Sequence, residues 1–114
     1  LVTIWTPEPG DLIWVDFSPT AGTEQSGRRP ALVISGKTYN ALSGRIVVVP
    51  ITKRIRGWLL ETPLPSDSTI TGAVMVDHIR NIDWRARFAQ PAGKVSDDIM
   101  QDVRAKIAAL VEMD

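Results

Sequence analysis

The chain has 114 residues, 44% of them hydrophobic and 23% charged, which fits one modest globular core. It carries no cysteine, so disulfides, thiol nucleophiles and thiolate metal sites are excluded, in keeping with a reducing cytoplasm. Its net charge of zero hides an order along the chain: −4 over residues 1–27, +6 over 28–87 from ten bases against four acids, and −2 over 88–114, so a neutral protein can still present a basic face to phosphate.

In chain order, residues 1–8 read as an extended or flexible lead-in to a single domain covering 1–114. Residues 11–17 (D-L-I-W-V-D-F) form a first strand, punctuated by Pro9-Gly10 before it and Ser18-Pro19-Thr20 after it. Residues 22–30 are a polar loop holding Glu24, Arg28 and Arg29 and closed by Pro30; residues 31–35 (A-L-V-I-S) follow as a second strand. Residues 39–42 make a short helical turn ended by Ser43-Gly44. Residues 45–51 (R-I-V-V-V-P-I) form a third strand, with Pro50 near its end as at an edge or bulge. Residues 58–63 and 72–82 supply two more strands, separated by a polar turn region over 63–71. Residues 84–88 (W-R-A-R-F) alternate and extend the sheet. Ser96 caps a terminal helix with Asp97 and Asp98 at its positive end, and Ile99, Val103, Ile107, Leu110 and Val111 share one face of it. The fold class is mainly β, a small barrel or curled sheet of five or more strands, with a C-terminal α-helix and one or two short helical turns. No apolar run approaches the ~20 residues of a membrane span.

The available chemistry is narrow. His78 is the only histidine, which excludes a histidine-pair ribonuclease and a histidine-rich metal site. Neither a P-loop nor a G-x-G-x-x-G fingerprint is present, and Asp77 and Asp83 belong to no clustered acidic motif for a divalent ion. Arginines, hydroxyls and a lone carboxylate remain. Guanidinium forks and threonine hydroxyls suit phosphate oxygens, so the residues point to a basic surface acting on a phosphodiester.

The stretch P-G-D-L-I-W-V-D-F-S-P-T-A-G-T-E-Q-S-G-R-R-P-A-L-V-I-S from Pro9, with V-V-V-P-I-T from Val47 and G-A-V-M-V-D-H-I-R-N-I-D-W-R-A-R from Gly72, resembles the MazF/PemK/Kid family of toxin endoribonucleases. The resemblance runs over nearly the whole chain from Pro9, and its most specific part is G-x-E-Q-x-G-x-R-P. It implies an SH3-like barrel of the CcdB/Kid/MazF type and a homodimer. It implies metal- and cofactor-independent, ribosome-independent cleavage of single-stranded RNA (mRNA) at a short sequence, leaving 2′,3′-cyclic phosphate and 5′-hydroxyl ends. It further implies a growth-arresting cytoplasmic toxin neutralised by a cognate MazE-like antitoxin, whose acidic disordered segment covers the RNA groove, and a toxin–antitoxin complex on DNA.

Carried over residue by residue, the resemblance makes Arg29 the clamp on the scissile phosphate and Thr52 a hydroxyl on a phosphate oxygen. Glu24 serves either as the base or as the group that orients Arg29. Gln25, Arg28, Lys53, Arg54, Arg56, Asp77, His78, Arg80 and Arg85 are the RNA-binding candidates. Some relatives carry an arginine two residues before the aspartate matching Asp77, for an Arg–Asp acid–base scheme; Met75 stands there in this chain, which favours the Arg29–Thr52 scheme. Trp58 either stacks on a base or packs in the core, the latter being the commoner fate of a tryptophan opening an apolar run; Trp14 and Trp84 read as packing or interface residues. Two other function classes share the fold. A CcdB-like gyrase poison would carry a terminal Trp-Gly-Ile where this sequence has V-E-M-D, and a non-catalytic binding module would hold RNA without cutting it.

Overall fold

The computed structural model describes residues 5–17 and 27–113. Seven strands and two helices follow in the order β1 (Asp11–Asp16), β2 (Arg28–Val33), α1 (Lys37–Ser43), β3 (Arg45–Thr52), β4 (Glu61–Pro63), β5 (Ala73–Met75), β6 (Arg80–Asp83), β7 (Gln90–Lys94) and α2 (Asp97–Leu110). The strands join in the order β4-β5-β3-β2-β1-β7, with β6 on β3, and all ladders are antiparallel. The path has two ends at β4 and β7, so this is a curled open sheet rather than a closed barrel.

Strand alternation explains how so small a sheet holds two cores. Successive side chains face opposite ways. Leu12, Leu32, Val49 and Ile51 join Val74, Val76, Met100 and Val103 of α2 on one face. Ile13, Val15, Ala31, Val33, Ile46 and Val48 meet Ile82 and Trp84 on the other. Ala31-Leu32-Val33 is fully buried because both faces of β2 are covered. Of the lead-in, residues 5–8 are described: Trp5 packs edge-on against Trp84 at 5.8 Å, and the buried Asn40 amide donates to Pro7 O at 2.8 Å.

β3 organises the rest. Its far edge is paired with β6 from Arg45 to Val48 and with β5 at Ile51 and Thr52. Pro50 falls in the gap where one partner gives way to the other, so its missing N–H costs no ladder bond on that side. A strand that changes partners in mid-course turns a corner.

Several expected elements differ. β2 starts at Arg28, so the twin arginines belong to a strand and not to the loop before Pro30. Residues 58–63 contain only the three-residue β4, and Trp58 lies exposed in the preceding turn. The expected strand over 72–82 is two strands, broken by a turn at Val76-Asp77 that the His78 N–H closes onto Met75 O. Residues 84–88 do not extend the sheet: Asp83 Oδ1 accepts the N–H groups of Arg85 and Ala86, winding a turn, and Phe88 sits at φ 56°. β7 had no sequence signal, since Q-P-A-G-K is polar and broken by proline and glycine.

Ser96 does cap α2, its hydroxyl accepting the Ile99 N–H at 3.3 Å. The buried residues of α2 are Met100 and Val103, flanked by Ile99 and Ile107, while Leu110 and Val111 are exposed because the sheet ends before the last helical turn reaches it. A polar clasp ties α2 to β4. Lys106 Nζ donates to Glu61 O (2.8 Å), Thr62 Oγ1 (3.0 Å) and Asp102 Oδ2 (2.8 Å), and the Thr62 hydroxyl donates to the same Asp102 oxygen at 2.7 Å.

The Lys106 ammonium, and then the Thr62 hydroxyl, hold the Asp102 carboxyl below its ordinary value of 3.8. A carboxyl depressed on folding adds stability above its unfolded pKa and loses it as pH falls through the folded one. Asp102→Asn is therefore expected to lower Tm at neutral pH by a few degrees at most, about 1 kcal/mol for a half-exposed pair. It should also flatten the decline in Tm as pH falls below about 4. Thermal melts of both proteins across that range check this; parallel curves would refute a titrating clasp.

Candidate RNA-cleavage site

Arg29 and Thr52 come from strands joined by a defined register. β2 pairs with β3 as Ala31↔Pro50, Leu32↔Val49 and Val33↔Val48. Carried two residues further, the same register sets Arg29 across from Thr52. Alternation gives both the parity of Ala31 and Val48, so they project to the same side. Pro30 cannot extend the ladder as a donor, so the strands part there, and a groove of about 600 Å³ opens. Arg28, Arg29 and Pro30 line it from β2, Pro50, Ile51 and Thr52 from β3, and Trp14 and Phe17 from the β1 side. Lys53, Arg54, Met75 and residues 69–71 complete it.

Each polar group in the groove has a distinct state. The exposed Arg29 guanidinium makes no hydrogen bond or ion pair with any described residue, so its donors face the groove. Thr52 Oγ1 accepts the Arg54 N–H at 3.0 Å. One lone pair is thereby engaged, which leaves the hydroxyl proton to donate outward. Arg28 is differently placed: it donates to Phe88 O and Gln90 Oε1, both at 2.8 Å, and lashes β2 toward β7. It is a framing residue first.

Thr52 is fixed from behind by Gly72. Thr52 pairs with Ala73, and Gly72, at φ +130°, lies so close that a Cβ there would stand 2.3 Å from the Thr52 carbonyl oxygen. Only glycine combines that dihedral with that approach.

A second recess of about 170 Å³ adjoins the groove and shares Thr52, Arg54 and Met75 with it. Arg56, Trp58, Glu61, Asp77 and His78 complete it. His78 Nε2 lies 3.8 Å from Asp77 Oδ1.

The structure thus gathers Arg28, Arg29, Thr52, Lys53, Arg54, Arg56, Asp77 and His78 into two connected hollows. Arg80 and Arg85 line neither: Arg80 stacks on Phe17 at 4.7 Å, and Arg85 covers Trp84 at 4.6 Å. Glu24 and Gln25 lie outside the described residues. Sequence reasoning missed Trp14 and Phe17 as groove walls, and missed Glu61. The 39% exposure of Trp14 on a strand whose other hydrophobic residues are buried has one sequence signal, its place out of phase with Ile13 and Val15. Among the described residues no three His, Asp or Glu side chains converge as a metal-ligand group.

Known proteins resemble the chain over most of its length. Residues 8–111 match the family described as PemK-like, MazF-like toxin of type II toxin-antitoxin system. The chain is 41% identical over 111 residues to the endoribonuclease toxin MazF of Escherichia coli K12, covering 97% of this chain and 99% of that one. It is 32% identical over 109 residues to the Escherichia coli endoribonuclease PemK, covering 91% and 81%. A crystal structure of MazE-MazF from Deinococcus radiodurans superposes with a TM-score of 0.92 at 40% identity, over 97% of this chain and 100% of the other.

Proposed function

The chain belongs to the family of PemK-like, MazF-like toxins of type II toxin–antitoxin systems, and on that premise we propose how its groove acts. It is an endoribonuclease, and the observation that carries the assignment of chemistry is that Thr52 and the exposed Arg29 line one groove where the β2–β3 ladder ends. Single-stranded RNA lies in the groove with Lys53 and Arg54 along its backbone. Arg29 forks onto the scissile phosphate, and the Thr52 hydroxyl donates to one of its oxygens. The 2′-oxygen attacks phosphorus, the P–O5′ bond breaks, and a 2′,3′-cyclic phosphate and a 5′-hydroxyl result. The proton lost from the 2′-hydroxyl passes to a base, for which Glu24 and Asp77 are the candidate carboxylates; the departing 5′-oxygen gains a proton. As more negative charge gathers on the phosphorane than on the ground-state diester, a fixed guanidinium stabilises the transition state selectively. Arginine stays protonated, so it acts here as an electrostatic clamp.

No step requires a metal or a ribosome. Purified protein is therefore expected to cut long single-stranded RNA in EDTA, leaving ends that T4 polynucleotide kinase can phosphorylate directly at the 5′ side. RNA that survives in EDTA but is cut when magnesium is restored would overturn the metal-free reading.

The cationic groove also suits an acidic segment of a cognate antitoxin competing with RNA for the same donors, an association that weakens as salt rises. The cytoplasm, where mRNA is exposed, is the compartment of action. No helix of the described residues is long and apolar enough to cross a membrane. Exposed apolar side chains at Leu42, Leu59, Phe88 and Met113 leave surface for a homodimer contact.

A further inference from the structure

We propose that Phe88, on the arginine-rich turn between β6 and β7, is a second contact for single-stranded RNA, outside both hollows, on which one base of the strand leaving the groove stacks. The contact rests on the RNA-cleavage reading of the groove. Its first support is the strain with which the ring is presented. Residues 84–88 wind a turn that closes with the Phe88 N–H on Arg85 O (3.1 Å) and the Ala89 N–H on Trp84 O (2.9 Å). That pair of bonds calls for a left-handed residue at the inner donor, and glycine is the usual one. Here it is phenylalanine at φ 56°, a conformation that crowds a bulky side chain. Burial does not offset the strain, because Phe88 is 68% exposed. Strained residues persist where their surroundings over-determine them, and they gather at ligand contacts. This turn is over-determined: Asp83 Oδ1 accepts the Arg85 and Ala86 N–H groups, Asp83 O accepts the Arg87 N–H, and Arg87 O accepts the Asp16 N–H.

Position and charge say which ligand the ring meets. Arg28 lines the groove, and its Nη1 donates to Phe88 O at 2.8 Å while its Nη2 reaches Gln90 Oε1 at 2.8 Å. Phe88 therefore stands one hydrogen bond beyond the groove wall. Trp14, an exposed aromatic of the groove, is the cross-strand partner of Gln90, which carries the surface on from groove to turn. Arg85 and Arg87 precede the ring on the turn itself, and the acid of that turn, Asp83, directs Oδ1 at backbone N–H groups. Exposed aromatics interleaved with cations are the surface that single strands use, cations along the phosphates and rings against the bases. Stacking requires a π-face and no particular base, so this contact adds affinity with RNA length rather than with sequence. A ring already held on a rigid turn binds with less entropy lost.

The test uses the full chain and random-sequence 2′-O-methyl RNA, which lacks the attacking hydroxyl, as hexamers and tetradecamers. Binding is followed by fluorescence anisotropy, and cleavage is assayed separately on a long natural RNA. Wild-type protein is expected to bind tetradecamers more tightly than hexamers. Phe88→Ala should weaken tetradecamer binding roughly tenfold, and Phe88→Trp should restore it. Phe88→Gly should weaken binding as alanine does while raising Tm by a few degrees, because glycine releases the left-handed strain. A ring with only a structural role would instead lower Tm when removed and leave affinity unchanged. Tetradecamers carrying one 5-iodouridine should photocrosslink to Phe88. Equal tetradecamer binding by wild type and Phe88→Ala, crosslinks confined to other residues, or no binding by either protein overturns the contact. So does a loss of affinity accompanied by a halved mass in solution, which would make Phe88 a subunit contact. Natural RNA left uncut by a protein that keeps its Phe88-dependent binding would instead overturn the cleavage reading and leave the contact standing.

Discussion

Arg29→Ala is expected to reduce RNA cleavage by roughly 10²–10³-fold, the usual cost of deleting a preorganised donor to a transition-state oxyanion, with Tm changed by no more than about 2 °C. The two halves of that statement have one cause. The Arg29 side chain is exposed and makes no hydrogen bond or ion pair with any described residue, so truncation orphans no buried partner. Surface changes of that kind stay within about 0.5 kcal/mol. Arg29→Lys should recover charge but not the fork, and so regain only part of the rate. Single-turnover cleavage of one mapped site, alongside melts of all three proteins, makes the measurement. An alanine variant that cuts at the wild-type rate would remove Arg29 from the chemistry.

Gly72→Ala should have the second large effect, and on both stability and activity. The new Cβ would lie 2.3 Å from Thr52 O and 3.0 Å from Thr52 C, on a residue at φ +130°. The obstacle is backbone, which cannot swing aside like a side-chain tip. Strain of this kind plus a forced backbone shift costs about 3 kcal/mol or more, which for a domain of this size is a Tm loss of at least about 10 °C. The residue displaced is Thr52, and misplacement of a reacting group by about 1 Å can cost 10²-fold in rate. Cleavage measured well below the variant's own Tm separates the two losses. Near-normal activity there would show that Thr52 tolerates displacement and is not held to catalytic tolerance.

The contrast between the two variants shows where the site's information resides. Arg29 was legible in the sequence because the E-Q-x-G-R-R-P run is unusual chemistry beside a core strand, and Thr52 because a hydroxyl ends the V-V-V-P-I-T strand. Gly72 was legible only as the edge of a strand, and its approach to Thr52 is a fact of two segments meeting. Trp58 shows the limit of residue-type expectation. An apolar W-L-L run reads as the start of a core strand, yet Glu61 claims the local backbone donors and turns Trp58 outward. Glu61 itself gave no signal, because a carboxylate in a polar-flanked strand is ordinarily solvated.

What the sequence determined by itself was everything set by local periodicity and local chemistry. The two-residue alternation of β1 and β3, the Ser96-capped helix and the Gly44-ended α1 at φ 71° are of that kind. Only the tertiary structure decided which strands pair, where β3 exchanges β6 for β5, that β7 exists at all, and that the sheet stays open. Those outcomes depend on pairing energies between segments far apart in the chain, and a strand's own residues specify which face is buried without specifying which neighbour buries it.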